Sequence, residues 1–195
     1  MIAIVDYGAG NLTSVKLAYS VRDLNESIWF FGDSYMSMGN PARWPYYPVQ
    51  NGWTRFLACG FPGADGWNHE ILSFRNLIAR GKPKYVVWCL GMNGGVSDNE
   101  KAVDEVCATC DSLGITPILA AVPCVPDETR NNAAKNTYVK SLGRRYIDFA
   151  KAVGAETNGS TWYAGMLSDD EIHPSALGAK ALYSQVLADF PEIMR

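Results

Sequence analysis

Ser27-Ile28-Trp29-Phe30-Phe31-Gly32-Asp33-Ser34-Tyr35-Met36 is an apolar run that stops abruptly at a glycine, an aspartate and a serine. Ile28 to Phe31 read as a buried strand, and Gly32-Asp33-Ser34 as the tight turn that ends it. This leaves a serine just past the strand's C-terminal end. In open α/β sheets ligands collect at that edge. A hydroxyl there becomes a candidate nucleophile once a base can reach it.

Downstream, strands and helices alternate. Residues 39–53 carry three prolines and four aromatics and read as loop, with a helix starting by Val49 and running toward Leu57. Residues 56–59 are a weak strand. Trp67, Ile71, Phe74, Leu77 and Ile78 have helical spacing within 67–80, with Gly81 as the C-cap. Residues 84–90 are the clearest strand and end at Gly91-Met92-Asn93-Gly94-Gly95. A helix over 98–113, capped by Ser97 or Asp98, stops at Gly114, and a strand over 115–122 runs into the loop Pro123–Pro126. Tyr138, Leu142, Tyr146, Phe149 and Val153 predict one long helix over 131–152, followed by a short strand at 154–157. A loop over 158–172 precedes the last helix, 174–189, with Pro174 in its first turn. Such alternation predicts an α/β fold: a parallel sheet with helices on both faces, three layers in all.

Upstream, residues 2–5 read as a strand and 12–22 as a helix, joined to the rest by the polar residues 23–27. The expected organisation is a leader over 1–26 and one domain over 27–195. The chain has 195 residues, is 48% hydrophobic and 19% charged, and carries a net charge of −3 with a pI near 5.4. It holds no basic block, so nucleic acid is not an expected partner. Its longest apolar runs fall far short of the roughly 20 residues that span a bilayer. Asp6 inside the first apolar run and the lack of a basic start argue against a signal peptide, so the expected compartment is the cytoplasm. The five cysteines are odd in number, which argues against a complete disulfide framework. Cys107-Ala-Thr-Cys110 sits mid-helix with no second pair, and reads as buried packing rather than a metal or redox site.

Parallel strands all point their C-terminal ends at one edge, so Ser34, Gly63, Asn93, Asp170 and His173 can meet there despite their separation in sequence. His173 supplies a base of suitable intrinsic pKa. Asp170, three residues before it, can fix the tautomer through the other ring nitrogen, and the spacing favours Asp170 over Asp169. The Ser34 N–H, the Gly63 N–H and the Asn93 side chain can hold a developing oxyanion. No metal or organic cofactor is required. His69, the only other histidine, reads as a surface residue. Trp44, Tyr46 and Tyr47 have two readings: they line a pocket for an acyl or sugar group, or they pack over the sheet edge.

Gly32-Asp33-Ser34, the glycine of Gly60-Phe61-Pro62-Gly63, Gly91-Met92-Asn93 and Asp170-Glu171-Ile172-His173-Pro174 resemble, in order, the blocks of the SGNH (GDSL-type) hydrolase superfamily. The likeness covers about residues 27–190. It implies a flavodoxin-like α/β/α fold, a Ser/His/Asp catalytic site with a Ser–Gly–Asn oxyanion hole, and hydrolysis of esters, here expected to be short-chain or carbohydrate O-acyl esters. One departure is Gly94, where the family often carries aspartate and so a carboxylate that helps hold that loop. The competing expectation is a non-catalytic module that keeps the fold and binds a glycan. Residues 1–18 separately resemble the start of the glutaminase subunit of imidazole glycerol phosphate synthase. That family's Gly-x-Cys-x-Gly elbow and His-x-Glu are both missing, so only a βα shape is expected of this stretch.

Overall fold

The computed structural model describes residues 24, 26–36, 40–53 and 55–194. The expected strand 2–5 and helix 12–22, and with them the glutaminase-like stretch, lie outside the described residues. Five parallel strands form one sheet: β1 (Ile28–Gly32), β2 (Leu57–Gly60), β3 (Tyr85–Cys89), β4 (Thr116–Ala121) and β5 (Tyr146–Asp148), in the order β2-β1-β3-β4-β5. This is the flavodoxin-like order, and its switch point, where ligands bind in such sheets, lies between β1 and β3.

The alternating side chains of β1 split the core into two. Phe30 packs with Trp44, Phe56, Val87, Ile118, Phe149 and Leu182 on one face. Trp29 and Phe31 pack with Phe74, Val86, Trp88, Val103, Val106 and Leu119 on the other. The first face is covered by α1 (Tyr46–Gln50), α5 (Phe149–Ala152) and α6 (Ala176–Asp189). The second is covered by α2 (Ile71–Ile78), α3 (Val96–Leu113) and α4 (Asn132–Ser141). Three layers follow because a parallel sheet must bury both faces. Among the described residues no helix is long and apolar enough to cross a membrane.

Several boundaries differ from the sequence expectation. The helix expected from Val49 to Leu57 is α1, and it has ended before Asn51 and Gly52 (φ +82). The segment 67–80 begins as a π-turn, Gly66–Glu70, before α2, with the Asp65 carboxylate accepting from Asn68 N at 2.6 Å as its cap. Gly81 does not end that helix by a left-handed turn. A Cβ there would lie 2.9 Å from both the Leu24 carbonyl oxygen and the Trp29 ring, so close approach is what requires glycine. Gly95 caps α3 through extended backbone, without help from Ser97 or Asp98. Gly114 (φ +67) does end it in the left-handed turn expected of a C-cap.

The main correction concerns 131–152. This stretch is not one helix but α4, a turn at Gly143 (φ +63), the edge strand β5 and the single turn α5. A three-residue strand is too short to show a period of two, and Tyr146 and Phe149 lie at spacings a helix would also give. The strand expected at 154–157 is absent from the sheet; Ala155 makes one backbone tie to Cys124 N at 2.8 Å. Pro174 lies just before α6 rather than within its first turn. Ser175 is the cap, its hydroxyl accepting from Gly178 N at 3.2 Å. All five cysteines are free thiols, with Cys107 and Cys110 buried on α3.

Candidate active site

Ser34 opens a 3₁₀ turn, Ser34–Met36, directly after β1. The turn is held by the Asp33 carboxylate, which accepts from Tyr35 N at 2.9 Å, and by the Asp33 carbonyl, which accepts from Met36 N at 3.0 Å. Glycine is required at position 32 because a Cβ would fall 2.1 Å from Met36 Cγ and 2.9 Å from its Cβ. The turn therefore folds tightly back on the strand end and leaves the Ser34 hydroxyl at the sheet edge, largely buried.

Asp170 and His173 come from the loop before α6. That loop is pinned at both ends: Leu167 bridges Pro174, Ser175 N donates to the Met166 carbonyl at 2.8 Å, and Ser175 Oγ donates to the Gly165 carbonyl at 2.6 Å. Glu171, between Asp170 and His173, has φ +58, a left-handed conformation that costs a non-glycine residue on the order of 1–3 kcal/mol and so persists only where its surroundings enforce it. Asp170 Oδ1 accepts from Ile172 N at 2.9 Å and His173 N at 2.8 Å, which coils the loop around the carboxylate.

His173 Nε2 lies 2.7 Å from Ser34 Oγ, and His173 Nδ1 lies 2.7 Å from Asp170 Oδ2. Partial burial alone would raise the Asp170 pKa. The hydrogen bonds from the His173 backbone and ring, Ile172 N and Ser168 Oγ together outweigh it and hold the carboxyl well below the usual carboxylate range. An ionised carboxylate only accepts, so Nδ1 carries the proton and Nε2 is left to accept from the Ser34 hydroxyl. The Tyr35 hydroxyl donates to the Ile172 carbonyl, and its ring lies 5.8 Å from the imidazole, bracing it from the strand side.

On the opposite side, Asn93 follows β3. Its Nδ2 donates to the Ala64 carbonyl at 3.0 Å, and its Oδ1 accepts from Arg130 Nη1 at 3.1 Å. These two partners fix which end of the amide is which. One Nδ2 hydrogen is spent on Ala64 and the other is left over. Gly63, beside Ala64, has φ +77 and is exposed, so the loop takes a path that favours glycine. Gly60 plays another part: a Cβ there would sit 2.6 Å from Met36 Cβ, so it lets β2 pack against the serine turn. Phe61 N donates to the Gly32 carbonyl at 3.3 Å, tying the Gly63 loop to the end of β1. Glycine at 94 also has a local cause. With φ +78, a Cβ would meet Asp65 Cβ at 2.8 Å, so an aspartate does not fit this loop, and Arg130 holds Asn93 from the other side.

No family model matches the sequence, and no curated protein matches it. Solved structures do match. TesA aligns with a TM-score of 0.65 at 18% identity, over 86% of this chain and 99% of that one. A GDSL-like lipase from Bacteroides thetaiotaomicron aligns with a TM-score of 0.64 at 15% identity, over 87% of each chain. A catalytic mutant of Axe2, an acetylxylan esterase from Geobacillus stearothermophilus, aligns with a TM-score of 0.63 at 17% identity, over 84% of this chain and 93% of that one. The fold is that of the GDSL-type hydrolases.

Within this GDSL-type fold, the sheet edge brings Ser34 to His173 and His173 to Asp170, and ties Asn93 to the residue after Gly63. The aromatic residues fare differently. Trp44 is 1% exposed and packs edge-on against Phe30 at 5.4 Å, so it belongs to the core. Tyr47 stacks on Tyr183 at 6.0 Å, and its hydroxyl donates to the Ala176 carbonyl at 2.7 Å, so it fastens α1 to α6. Tyr46 is half-buried and sits edge-on to Tyr47. His69 is exposed, with Nδ1 3.4 Å from an Asp65 carboxylate oxygen.

The sequence reading missed Tyr35, Arg43 and Arg130. Arg43 is half-buried and interacts electrostatically with Tyr35, Asp170 and Asp33. Two buried acids, Asp33 after β1 and Glu70 at the end of the π-turn Gly66–Glu70, lie close enough to interact. Burial pushes Asp33 up to about 7, against the pull of the Tyr35 N–H, Arg130 and Arg43. Glu70 is 0% exposed, and neither of its carboxyl oxygens has a hydrogen-bond partner among the described residues. Burial first, and then the nearby Asp33, push it up to about 8.

Glu70 therefore enters the folded state protonated. From its ordinary 4.5 up to about 8, folding takes up a proton, so its contribution to stability falls as pH rises through that window. Glu70→Gln removes the slope. The variant should match the parent near pH 4 and exceed it by something on the order of 4 kcal/mol near pH 9. Urea melts at the two pH values check this; an equal difference at both would show that the Glu70 carboxyl does not change protonation on folding.

Proposed function

We propose that this protein is a serine ester hydrolase that works through an acyl-enzyme. The observation that carries the reading is the unbroken relay Ser34 Oγ–His173 Nε2, His173 Nδ1–Asp170 Oδ2, with both links at 2.7 Å. Ser34 attacks the acyl carbonyl while its proton passes to His173 Nε2. Asp170 orients the ring and stabilises the imidazolium. The tetrahedral oxyanion is held by Ser34 N–H, Gly63 N–H and the spare Nδ2 hydrogen of Asn93. It collapses, and the departing alcohol takes the proton back from His173. Water repeats the sequence: His173 takes its proton, the acyl ester on Ser34 is cleaved, His173 returns the proton to Ser34 Oγ, and a carboxylic acid leaves. No step calls on a metal or organic cofactor.

Short-chain or carbohydrate O-acyl esters are the proposed substrates. The likeness to an acetylxylan esterase supports this, as does the open groove beside Gly63, about 470 Å³, which Asn68, His69 and Ser73 line together with Phe61 and Leu72.

The test is trapping. A fluorophosphonate should add a single phosphonyl group, and peptide mapping should place it on Ser34. p-Nitrophenyl acetate should be hydrolysed with a burst. If no adduct forms and p-nitrophenyl acetate, butyrate and octanoate are all left intact, the reading is wrong, and glycan binding without catalysis becomes the one to pursue.

A further inference from the structure

We infer that Arg130 is the positioning residue of the oxyanion site, acting through Asn93. This rests on the reading of Asn93 as an oxyanion donor. An asparagine amide on a loop can turn over, and a turned amide would aim its oxygen, a repulsive group, at a developing oxyanion. Two contacts fix the orientation. The Ala64 carbonyl takes one Nδ2 hydrogen, and Arg130 Nη1 donates to Oδ1 at 3.1 Å. The same Nη1 donates to the Met92 carbonyl at 3.0 Å, so one guanidinium nitrogen grips both the side chain and the backbone of the loop that carries Asn93. Turning the amide over would set its NH₂ against the Arg130 cation and its oxygen against the Ala64 oxygen. Both contacts would become repulsive.

Arg130 is itself held in place. It ends the 3₁₀ turn Glu128–Arg130, and Asn131, the next residue, adopts the left-handed conformation (φ +47), which swings the chain into α4. Asn158 maintains that bend: its Nδ2 donates to Asn131 Oδ1 and its Oδ1 accepts from Ala133 N, both at 2.9 Å. Behind Arg130, the inward face of α4 is polar. Lys135 Nζ donates to the Gly91 carbonyl at 2.8 Å, and Asn132 Nδ2 to the Pro123 carbonyl at 2.9 Å. Three consecutive residues of the β3 loop, Gly91, Met92 and Asn93, are thus gripped from α4 and the turn before it. A strained residue beside the cation and a row of buried polar groups behind it mark a support built for placement.

The test is a double-mutant cycle on p-nitrophenyl acetate hydrolysis, with thermal melts to confirm folding. Asn93→Ala should lower kcat about 100- to 1,000-fold, the usual effect of losing one oxyanion donor. Arg130→Met should lower kcat roughly 30-fold with KM changed by less than about threefold, and Arg130→Lys should recover most of the loss. In the Asn93→Ala background, Arg130→Met should cost less than about twofold, because the group it aims is already gone. Equal costs in both backgrounds, or an effect confined to KM, would overturn the proposal. If Arg130→Met does not fold, Arg130→Gln closes the same cycle. Unchanged turnover in Asn93→Ala would instead sink the oxyanion reading of Asn93, a different failure with a different signature.

Discussion

Ser34→Ala is expected to lower turnover of p-nitrophenyl acetate by about 10⁴-fold or more and to abolish the burst, while leaving the fold intact. The substitution removes a single oxygen whose side-chain hydrogen bond runs to His173 Nε2. The turn that presents it is held by Asp33 and Gly32, which are untouched. The melting temperature should therefore move little. On the proposed mechanism, what disappears is the only step in which substrate carbon bonds to the protein. The residual rate should be first order in ester, with no covalent species on the pathway. A variant that kept parent-like turnover would show that the serine at the strand end is not the nucleophile, and that the relay it heads is inherited geometry without use.

The second large effect is expected of Asp170→Asn, about 10⁴-fold in kcat. Asparagine can keep an oxygen at the Oδ1 position, where it still accepts from Ile172 N and His173 N, so the loop should hold its shape. At the Oδ2 position an NH₂ now faces His173 Nδ1, 2.7 Å away in the parent. Two donors cannot share that contact, so Nδ1 gives up its proton and Nε2 takes it. An Nε2–H cannot accept from the Ser34 hydroxyl. The variant should melt near the parent temperature, bind ester with little change in KM, and react with a fluorophosphonate as slowly as it turns over ester. A loss of less than tenfold would mean that His173 finds its tautomer without this carboxylate. Asp170→Ala would be a poorer experiment, because it also releases the two backbone amides and mixes loop collapse with chemistry.

The residues at the strand ends were the legible part of the chain. Gly32, Asp33 and Ser34 announce a strand and its stop, and a parallel sheet with helices on both faces follows from alternation. The relay is readable because its acid and base are three residues apart on one loop. The parts that were not legible share a physical cause. The inward face of α4 is Asn132, Lys135, Asn136 and Val139, so a periodicity built on apolar residues selects other positions, Tyr138 and Leu142, and runs them on through β5. Asn136 sits in the interior because its side chain pairs both ways with the backbone of Val122, donating at 2.7 Å and accepting at 2.8 Å. Such a residue looks like surface in a sequence and behaves as part of the sheet in the fold. Arg130 was invisible for a similar reason: its importance lies in two acceptors on a loop 37 and 38 residues earlier, and nothing local marks it.

The separation of Ser34 from His173 by 139 residues has a consequence for the newborn chain. Ribosomes add roughly 5–20 residues each second, so on the order of 10 s passes between synthesis of the serine and synthesis of the histidine. Through that interval β1 to β5 can emerge and pair, but the hydroxyl has no base. The Asp170–His173 loop is seated by α6, the last α-helix among the described residues, whose Gly178 lies so close to the Met166 carbonyl that a Cβ would come within 2.2 Å of its oxygen. On the proposed mechanism, the nascent protein cannot react with esters until α6 has docked, and a chain released before that point would be inert, however well its sheet has formed.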